Sequence, residues 1–152
     1  MIKIPLKFIN NQIILPAIVS FPNYRVRYKP VQFIIDTGSS RSFLSEGDAL
    51  RLQIPINRLS EDETIMRMGG SKYYLVKTKE FEMLLKDENN SGKTINLPSF
   101  AISRGTKKTQ EAILESQNFP SIIGTDFFVL NNLKLHFSPN SKEIYLGMED
   151  SN

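Results

Sequence analysis

The 152-residue chain has no cysteine, no tryptophan and a single histidine. Without cysteine there is no thiol nucleophile, no disulfide framework and no thiolate zinc site, and one imidazole cannot supply the clustered ligands of common catalytic metal centres. A serine triad is poorly served too. No Gly-x-Ser-x-Gly elbow is present, and His136 falls on the polar side of a segment whose neighbours Leu135 and Phe137 turn the other way, so a solvated histidine is expected. Long apolar runs are also missing. No stretch approaches the ~20 residues that cross a bilayer, and the apolar segments near Met1 are interrupted by Pro5, Asn10, Asn11, Gln12 and Pro16, unlike the unbroken centre of a secretory signal. From these absences we expect a cytoplasmic protein with no membrane association. Charge of one sign is scarce as well: the net +3 is dispersed over Arg25, Arg27, Lys29, Lys72, Lys77, Lys79, Lys107 and Lys108, which gives no basic stripe for nucleic acid.

What is present is a chain with enough apolar residues, 40%, to bury a core and a length typical of one domain, so residues 1–152 are expected to form a single domain. Alternation and turn residues point mainly to strands. Ile2 to Ile9 and Ile13 to Phe21 read as a strand pair around Asn10-Asn11. A loop, Pro22 to Pro30, then leads into the apolar run Val31-Gln32-Phe33-Ile34-Ile35. Ser45 with Asp48 three residues later has the form of a capping box opening a short helix through Leu52, which Pro55 stops. Thr64 to Val76 reads as a hairpin with Gly69-Gly70 at its tip, because two glycines supply the positive φ values that a two-residue turn needs. Phe81 to Leu85 and Thr94 to Ile102 suggest another strand pair around the polar loop Lys86 to Lys93. Thr109 to Gln117 suggests a short helix, Ser121-Ile122-Ile123 a buried strand, Asp126 to Leu130 a helix, and Leu133 to Leu146 a closing hairpin turned at Ser138 to Lys142.

The chemistry concentrates at Asp36-Thr37-Gly38, which follows the apolar run and precedes Ser39-Ser40. A carboxylate on a tight turn at the end of a buried strand lies within reach of backbone N–H groups, and Gly38 lets a substrate or another backbone approach. Such a group suits acid–base activation of water. Other motifs are weaker. Ser91-Gly92-Lys93-Thr94 ends like a phosphate-binding loop, but its first glycine would fall at Asp87, and the nucleotide reading fails. Asn89-Asn90-Ser91 is a glycosylation sequon that matters only after export. Asp126, in the first turn of its helix, is better placed for capping or for the helix dipole than for catalysis.

Three features stand in a particular order: the strand into Asp36-Thr37-Gly38-Ser39-Ser40, the Gly69-Gly70 hairpin about 30 residues later, and Ile122-Ile123-Gly124 leading into a short helix. This order resembles the retropepsin-like aspartic proteases over roughly Ile13 to Leu146. The resemblance implies an all-β, closed acid-protease barrel with a flap hairpin and one or two short helices. It further implies Asp36 as catalytic acid, Thr37, Gly38 and Ser39 as its supporting loop, and Met68, Gly69, Gly70 and Ser71 as flap and substrate-binding residues. Ile122, Ile123 and Gly124 would brace the catalytic loop. No metal or organic cofactor is implied, and the substrate would be an extended polypeptide.

One chain carries one such motif, whereas peptide hydrolysis by carboxyls needs one to take a proton from water and another to polarise the carbonyl. A homodimer with two copies of Asp36 at its axis is therefore expected, with Thr37 bonding across that axis by resemblance. Partnership with an unlike chain, and a non-catalytic binding or assembly module of the same fold, are the competing readings. Ser39, where many retroviral members carry alanine, could donate its hydroxyl to Asp36, stabilising the charged form and lowering its pKa. The C-terminal hairpin stands where the family interdigitates its termini, which makes Leu133, Leu135, Phe137, Ile144 and Leu146 candidates for a dimer interface or for ordinary core.

Overall fold

A computed structural model describes residues 1–68, 70–106 and 110–150, apart from the side chains of Asp62, Glu63, Met68 and Ser116. The chain opens with strands β1 (Ile2–Pro5), β2 (Lys7–Ile9) and β3 (Gln12–Phe21). Asn10 and Asn11 turn β2 into β3 with φ values of 51° and 60°, the left-handed pair that a two-residue hairpin requires and asparagine tolerates. The expected single strand Ile2 to Ile9 breaks at Leu6, whose N–H leaves the hairpin to bond the Ile144 carbonyl at 3.0 Å.

Strand β4 (Val26–Ile35) begins earlier than expected, after a short 3-10 turn at Pro22–Tyr24, and runs through Pro30. Pro30 faces Ile18 where β4 has no neighbour on its other side, since the next strand reaches only Phe33 to Ile35. Pro16 in β3 sits in the same situation, between the partners of Gln12–Ile14 and of Ile18–Ser20. A residue lacking N–H is tolerated at such edge positions.

After β4 come helix α1 (Glu46–Arg51), strands β5 (Ser60–Met68), β6 (Ser71–Lys77), β7 (Phe81–Lys86), β8 (Gly92–Leu97) and β9 (Ala101–Gly105), helix α2 (Gln110–Asn118), strand β10 (Ser121–Ile123), helix α3 (Thr125–Leu130), and strands β11 (Lys134–Ser138) and β12 (Glu143–Met148). The expected strand Thr94 to Ile102 divides at Pro98-Ser99. Its first half, β8, pairs with β7, while β9 crosses to β6. Thr78 fixes the crossing by exchanging backbone and hydroxyl bonds with Phe100 at 2.9–3.0 Å.

Three sheets result: β1-β12-β11, β10-β4-β3-β7-β8 with β2 added alongside β3, and β5-β6-β9. None closes on itself, and this corrects the expected barrel. The central sheet ends at β10 on one side and β8 on the other, among the described residues no ladder joins those edges, and short crossings such as Pro98-Ser99 carry the chain into separate sheets. Among the described residues there are three α-helices, at the three places where the residue pattern suggests them and one more than the resemblance implies. Among the described residues no helix is long and apolar enough to cross a membrane.

The main core lies against the central sheet, where Leu15, Val19, Phe21, Phe33, Phe81, Met83, Leu85 and Ile123 are buried together with Leu146 of the terminal sheet. Phe81 stacks on Phe100 with ring centres 4.4 Å apart and tilts against Phe21 at 4.9 Å. Each such buried side chain stabilises the fold by roughly 1.5–3 kcal/mol relative to exposure. A smaller cluster of Phe43, Leu75, Ala101 and Ile122, with Met66 and Phe119 against it, lies under the loop that follows β4.

Candidate active site

Strand β10 lies parallel to β4, with Ile122 opposite Ile34 and Ile123 opposite Ile35. The Asp36 N–H continues this ladder by donating to the Ile123 carbonyl at 3.0 Å. The chain then turns sharply. Ser39 N–H donates to the Asp36 carbonyl at 3.0 Å, and Gly38 N–H donates to Asp36 Oδ1 at 2.9 Å. A Cβ on Gly38 would stand 3.1 Å from that oxygen, so glycine leaves room for the carboxylate beside the turn. Asp36, Thr37 and Gly38 are all exposed, and the Thr37 hydroxyl bonds to none of the described residues.

The following residues are clamped from two sides. Phe43 and Ile122 exchange both backbone bonds at 2.9 Å, while Leu44 N–H donates to Ala101 and Ser103 N–H donates to Leu44, each at 2.9 Å. Ser45 caps α1 by accepting the Asp48 N–H at 3.1 Å. The Asp48 carboxylate does not return to Ser45 as in a full capping box. It accepts from the Ser121 hydroxyl at 2.6 Å, and Ser121 in turn accepts the Ser45 N–H at 2.9 Å, which ties the helix start to β10.

Gly124 brings the start of α3 against the same loop. A Cβ there would lie 2.5 Å from the Ser39 carbonyl and 2.7 Å from that of Arg41. Thr125 N–H donates to Ser39 at 2.9 Å, and Gly124 N–H donates to the Ser42 hydroxyl at 2.7 Å. That hydroxyl donates to Asp126 Oδ1 at 2.6 Å, while Ser42 N–H reaches Asp126 Oδ2 at 3.1 Å. Asp126 also accepts the Phe127 N–H at 2.8 Å. Its expected place in the first helical turn is accompanied by a second duty, holding the loop that carries Asp36.

Ser39 departs from expectation. Its hydroxyl donates to the Arg41 carbonyl at 2.7 Å and accepts the Arg41 N–H at 3.4 Å. A hydroxyl has one proton to give, so the expected bond from Ser39 to Asp36 is not made.

An open cleft of about 560 Å³ lies between this loop and β5. Asp36, Ser39, Ser40 and Arg41 form one wall, Thr64, Ile65, Met66 and Arg67 of β5 form the other, and Phe43, Phe119 and Ile122 supply apolar surface. Asp36 is the only carboxylate among the described residues of the lining. The two walls are linked by Arg41, whose Nη1 donates to Thr64 Oγ1 at 2.9 Å and whose Nε lies 3.9 Å from Asp126 Oδ2. Among the described residues no group of His, Asp or Glu is placed to hold a metal.

At the end of the β5–β6 hairpin Met68 pairs with Ser71, and Gly70 has φ +82°, a left-handed value that glycine adopts without cost. Gly69 and the Met68 side chain lie outside the described residues, while Gly70 and Ser71 lie beyond the stretch of β5 that lines the cleft. Tyr73 of the neighbouring strand is buried, with its ring 5.8 Å from Phe119. Burial, and then the Glu115 and Glu46 carboxylates, push the Tyr73 hydroxyl above its ordinary pKa. Sequence reasoning overlooked Arg41, Ser42, Thr64 and Phe119. Arg41 and Ser42 stand within six residues of Asp36, but nothing in sequence spacing joins them to Thr64 or Asp126.

The family model for aspartyl proteases matches residues 23–127, which include the whole of the Asp36 loop, the β5–β6 hairpin and the Gly124 turn. Among solved structures, a retropepsin-like aspartic protease from Rickettsia conorii is similar in fold, with a TM-score of 0.51 at 14% identity over 90% of this chain and 82% of that one. No curated protein matches the sequence at a significant level.

Proposed function

Since the chain belongs to the aspartyl protease family, in its retropepsin-like form, we propose that it is an aspartic endopeptidase that hydrolyses peptide bonds in extended polypeptides. The observation that carries this reading is the exposed Asp36 carboxylate, held by the Gly38 N–H, at the wall of an open cleft of about 560 Å³ whose other wall is β5. Residues 1–152 act as one domain, and the working unit is a homodimer, because one chain contributes one cleft carboxylate and the reaction needs two.

Across the dimer axis the two copies of Asp36 share one proton, since neighbouring carboxylates do not both ionise. The ionised member takes a proton from water, whose oxygen bonds to the substrate carbonyl carbon, and the protonated member gives its proton to the carbonyl oxygen. As the diol collapses, one of its hydroxyls gives its proton to the ionised member, the C–N bond breaks, and the leaving nitrogen takes the proton of the other member, so the pair again holds one proton. Because this cycle starts from a singly protonated pair, the optimum is acidic, and the titration belongs to the pair rather than to either copy. Thr37 holds the two loops together across the axis. Met68, Gly69, Gly70 and Ser71 close over the substrate as a flap, which lies as an added strand bonded through main-chain groups. Ile122, Ile123 and Gly124 support the catalytic loop from beneath.

Wild type and Asp36→Asn are compared on an unstructured protein substrate between roughly pH 3 and 7, where a carboxyl pair titrates. Each reaction is run with and without a transition-state inhibitor of aspartic proteases. Cleavage by wild type alone, abolished by the inhibitor, is expected. Equal cleavage by both proteins, or none by a confirmed wild-type dimer, overturns the reading.

A further inference from the structure

In this chain the termini are already paired with each other. Strand β12 lies between β1 and β11, so both of its edges are occupied, and the Lys3 carbonyl of β1 accepts the Glu88 N–H from the turn after β7 at 2.9 Å. Of the terminal residues that sequence offered for an interface, Leu133 and Leu146 are buried, and Leu135 packs half-buried against the core. Phe137 is different: it is 44% exposed, on the free edge strand β11.

Beside it lies a second free edge. Among the described residues strand β2 pairs only with β3, and its Phe8 and Ile9 are 41% and 48% exposed. The Phe8 ring meets Phe137 edge-on with centres 5.2 Å apart, so the two edges form one apolar corner. Register places this corner near the reaction centre. Ile14 pairs with Ile34, and one step further Ile13 comes level with Ile35, the residue before Asp36, while Phe8 is the partner of Ile13 on the next strand. Two strand spacings, about 10 Å, separate the Phe8 backbone from that of Ile35. Unpaired strand edges bearing exposed aromatics are sites where another chain adds, unless they are blocked.

Resting on the reading of one chain as half of a two-fold active site, we propose that a second copy of this chain seats on the corner formed by Phe8, Ile9 and Phe137. The terminal strands are engaged within each subunit, and the contact is isologous, each corner meeting its counterpart beside the paired Asp36 loops. The most exposed apolar side chain elsewhere, Val129 at 82%, lies on α3 and serves as the contrasting surface.

The test measures mass by sedimentation in the Asp36→Asn background, which needs no catalysis, for the otherwise unchanged chain and for Phe8→Glu, Phe137→Glu and Val129→Glu. Circular dichroism checks the fold, and Ile9→Lys and Phe8→Ser replace any variant that does not fold. The expected result is a dimer whose dissociation constant rises at least tenfold with the corner variants and is unchanged by Val129→Glu. A monomer at all concentrations, folded corner variants that dimerise normally, or dissociation by Val129→Glu to the same extent overturns the proposal. A chain that keeps Asp36 and dissociates at this corner, yet cuts no peptide as a confirmed dimer, leaves the interface standing and removes the protease reading instead.

Discussion

The Ser42 hydroxyl lies 2.6 Å from Asp126 Oδ1 and 2.7 Å from the Gly124 nitrogen, so one side chain joins the loop that carries Asp36 to the start of α3 as both donor and acceptor. Ser42 is buried, and truncating its side chain orphans the Gly124 N–H and leaves Asp126 Oδ1 with the Phe127 N–H as its remaining donor. Ser42→Ala is therefore expected to lower stability by about 1–3 kcal/mol in urea unfolding, the usual cost of an unpaired buried group. If the protein is the proposed protease, kcat falls on the order of a hundredfold, because small misplacements of a catalytic group are costly. Loss of stability with kcat unchanged would confine Ser42 to folding.

Gly124 makes a sharper prediction. Its φ is −99°, so any residue could adopt its backbone, and what glycine provides is space: a methyl group would stand 2.5 Å from the Ser39 carbonyl and 2.7 Å from that of Arg41. Both obstacles are main chain and cannot swing aside. Gly124→Ala is expected to destabilise by ~1–3 kcal/mol or more and to displace Ser39 and Arg41. A melting temperature within a degree or so of wild type would show that the loop moves freely.

Local chemistry was readable from sequence wherever the cause was local. Asn10-Asn11, Gly70 and Ser45 announced their turns and cap because those residue types suit the conformations directly, and the Asp36-Thr37-Gly38 motif carried the family with it. What sequence did not show were choices made between distant segments. Thr94 to Ile102 reads as one strand, yet at Pro98-Ser99 the chain changes sheets, and a strand's destination depends on partners rather than on its own alternation. The closed barrel failed for the same reason. Pro30 suggested a loop because a missing N–H is harmless only on an unpaired side, and that side becomes visible only when β10 is seen to stop at Phe33. Arg41 and Asp126 gained their meaning from Thr64 and Ser42, across 23 and 84 residues of chain.

Ser39 shows how one bond changes a prediction. Had its hydroxyl faced Asp36, Ser39→Ala would have moved the acidic limb of a pH–rate profile to higher pH. Its proton goes instead to the Arg41 carbonyl at 2.7 Å, a bond internal to the loop. The expected outcome is now an acidic limb in the same place, with stability reduced by roughly 0.5–1.5 kcal/mol for the lost hydrogen bond. A limb displaced to higher pH would show that the hydroxyl turns to Asp36 in the working protein.

Tyr73 gives a prediction at the opposite end of the pH scale. Burial, reinforced by the Glu115 and Glu46 carboxylates, raises its pKa above the ordinary 10.0, so the folded chain keeps the phenol proton at a pH where the unfolded chain has lost it. Between the two values the native state binds more protons than the unfolded state, and stability falls as pH rises through that window. Below it the residue adds no pH dependence. Tyr73→Phe keeps the ring against Phe119 and removes the ionisation, so the variant should lose less stability than wild type as pH rises above the ordinary tyrosine value. Urea midpoints for both proteins between about pH 9 and 11 compare the slopes directly, with the other tyrosines common to both. Parallel slopes would mean that the phenol reaches solvent before it ionises, through a local opening of β6 away from Phe119.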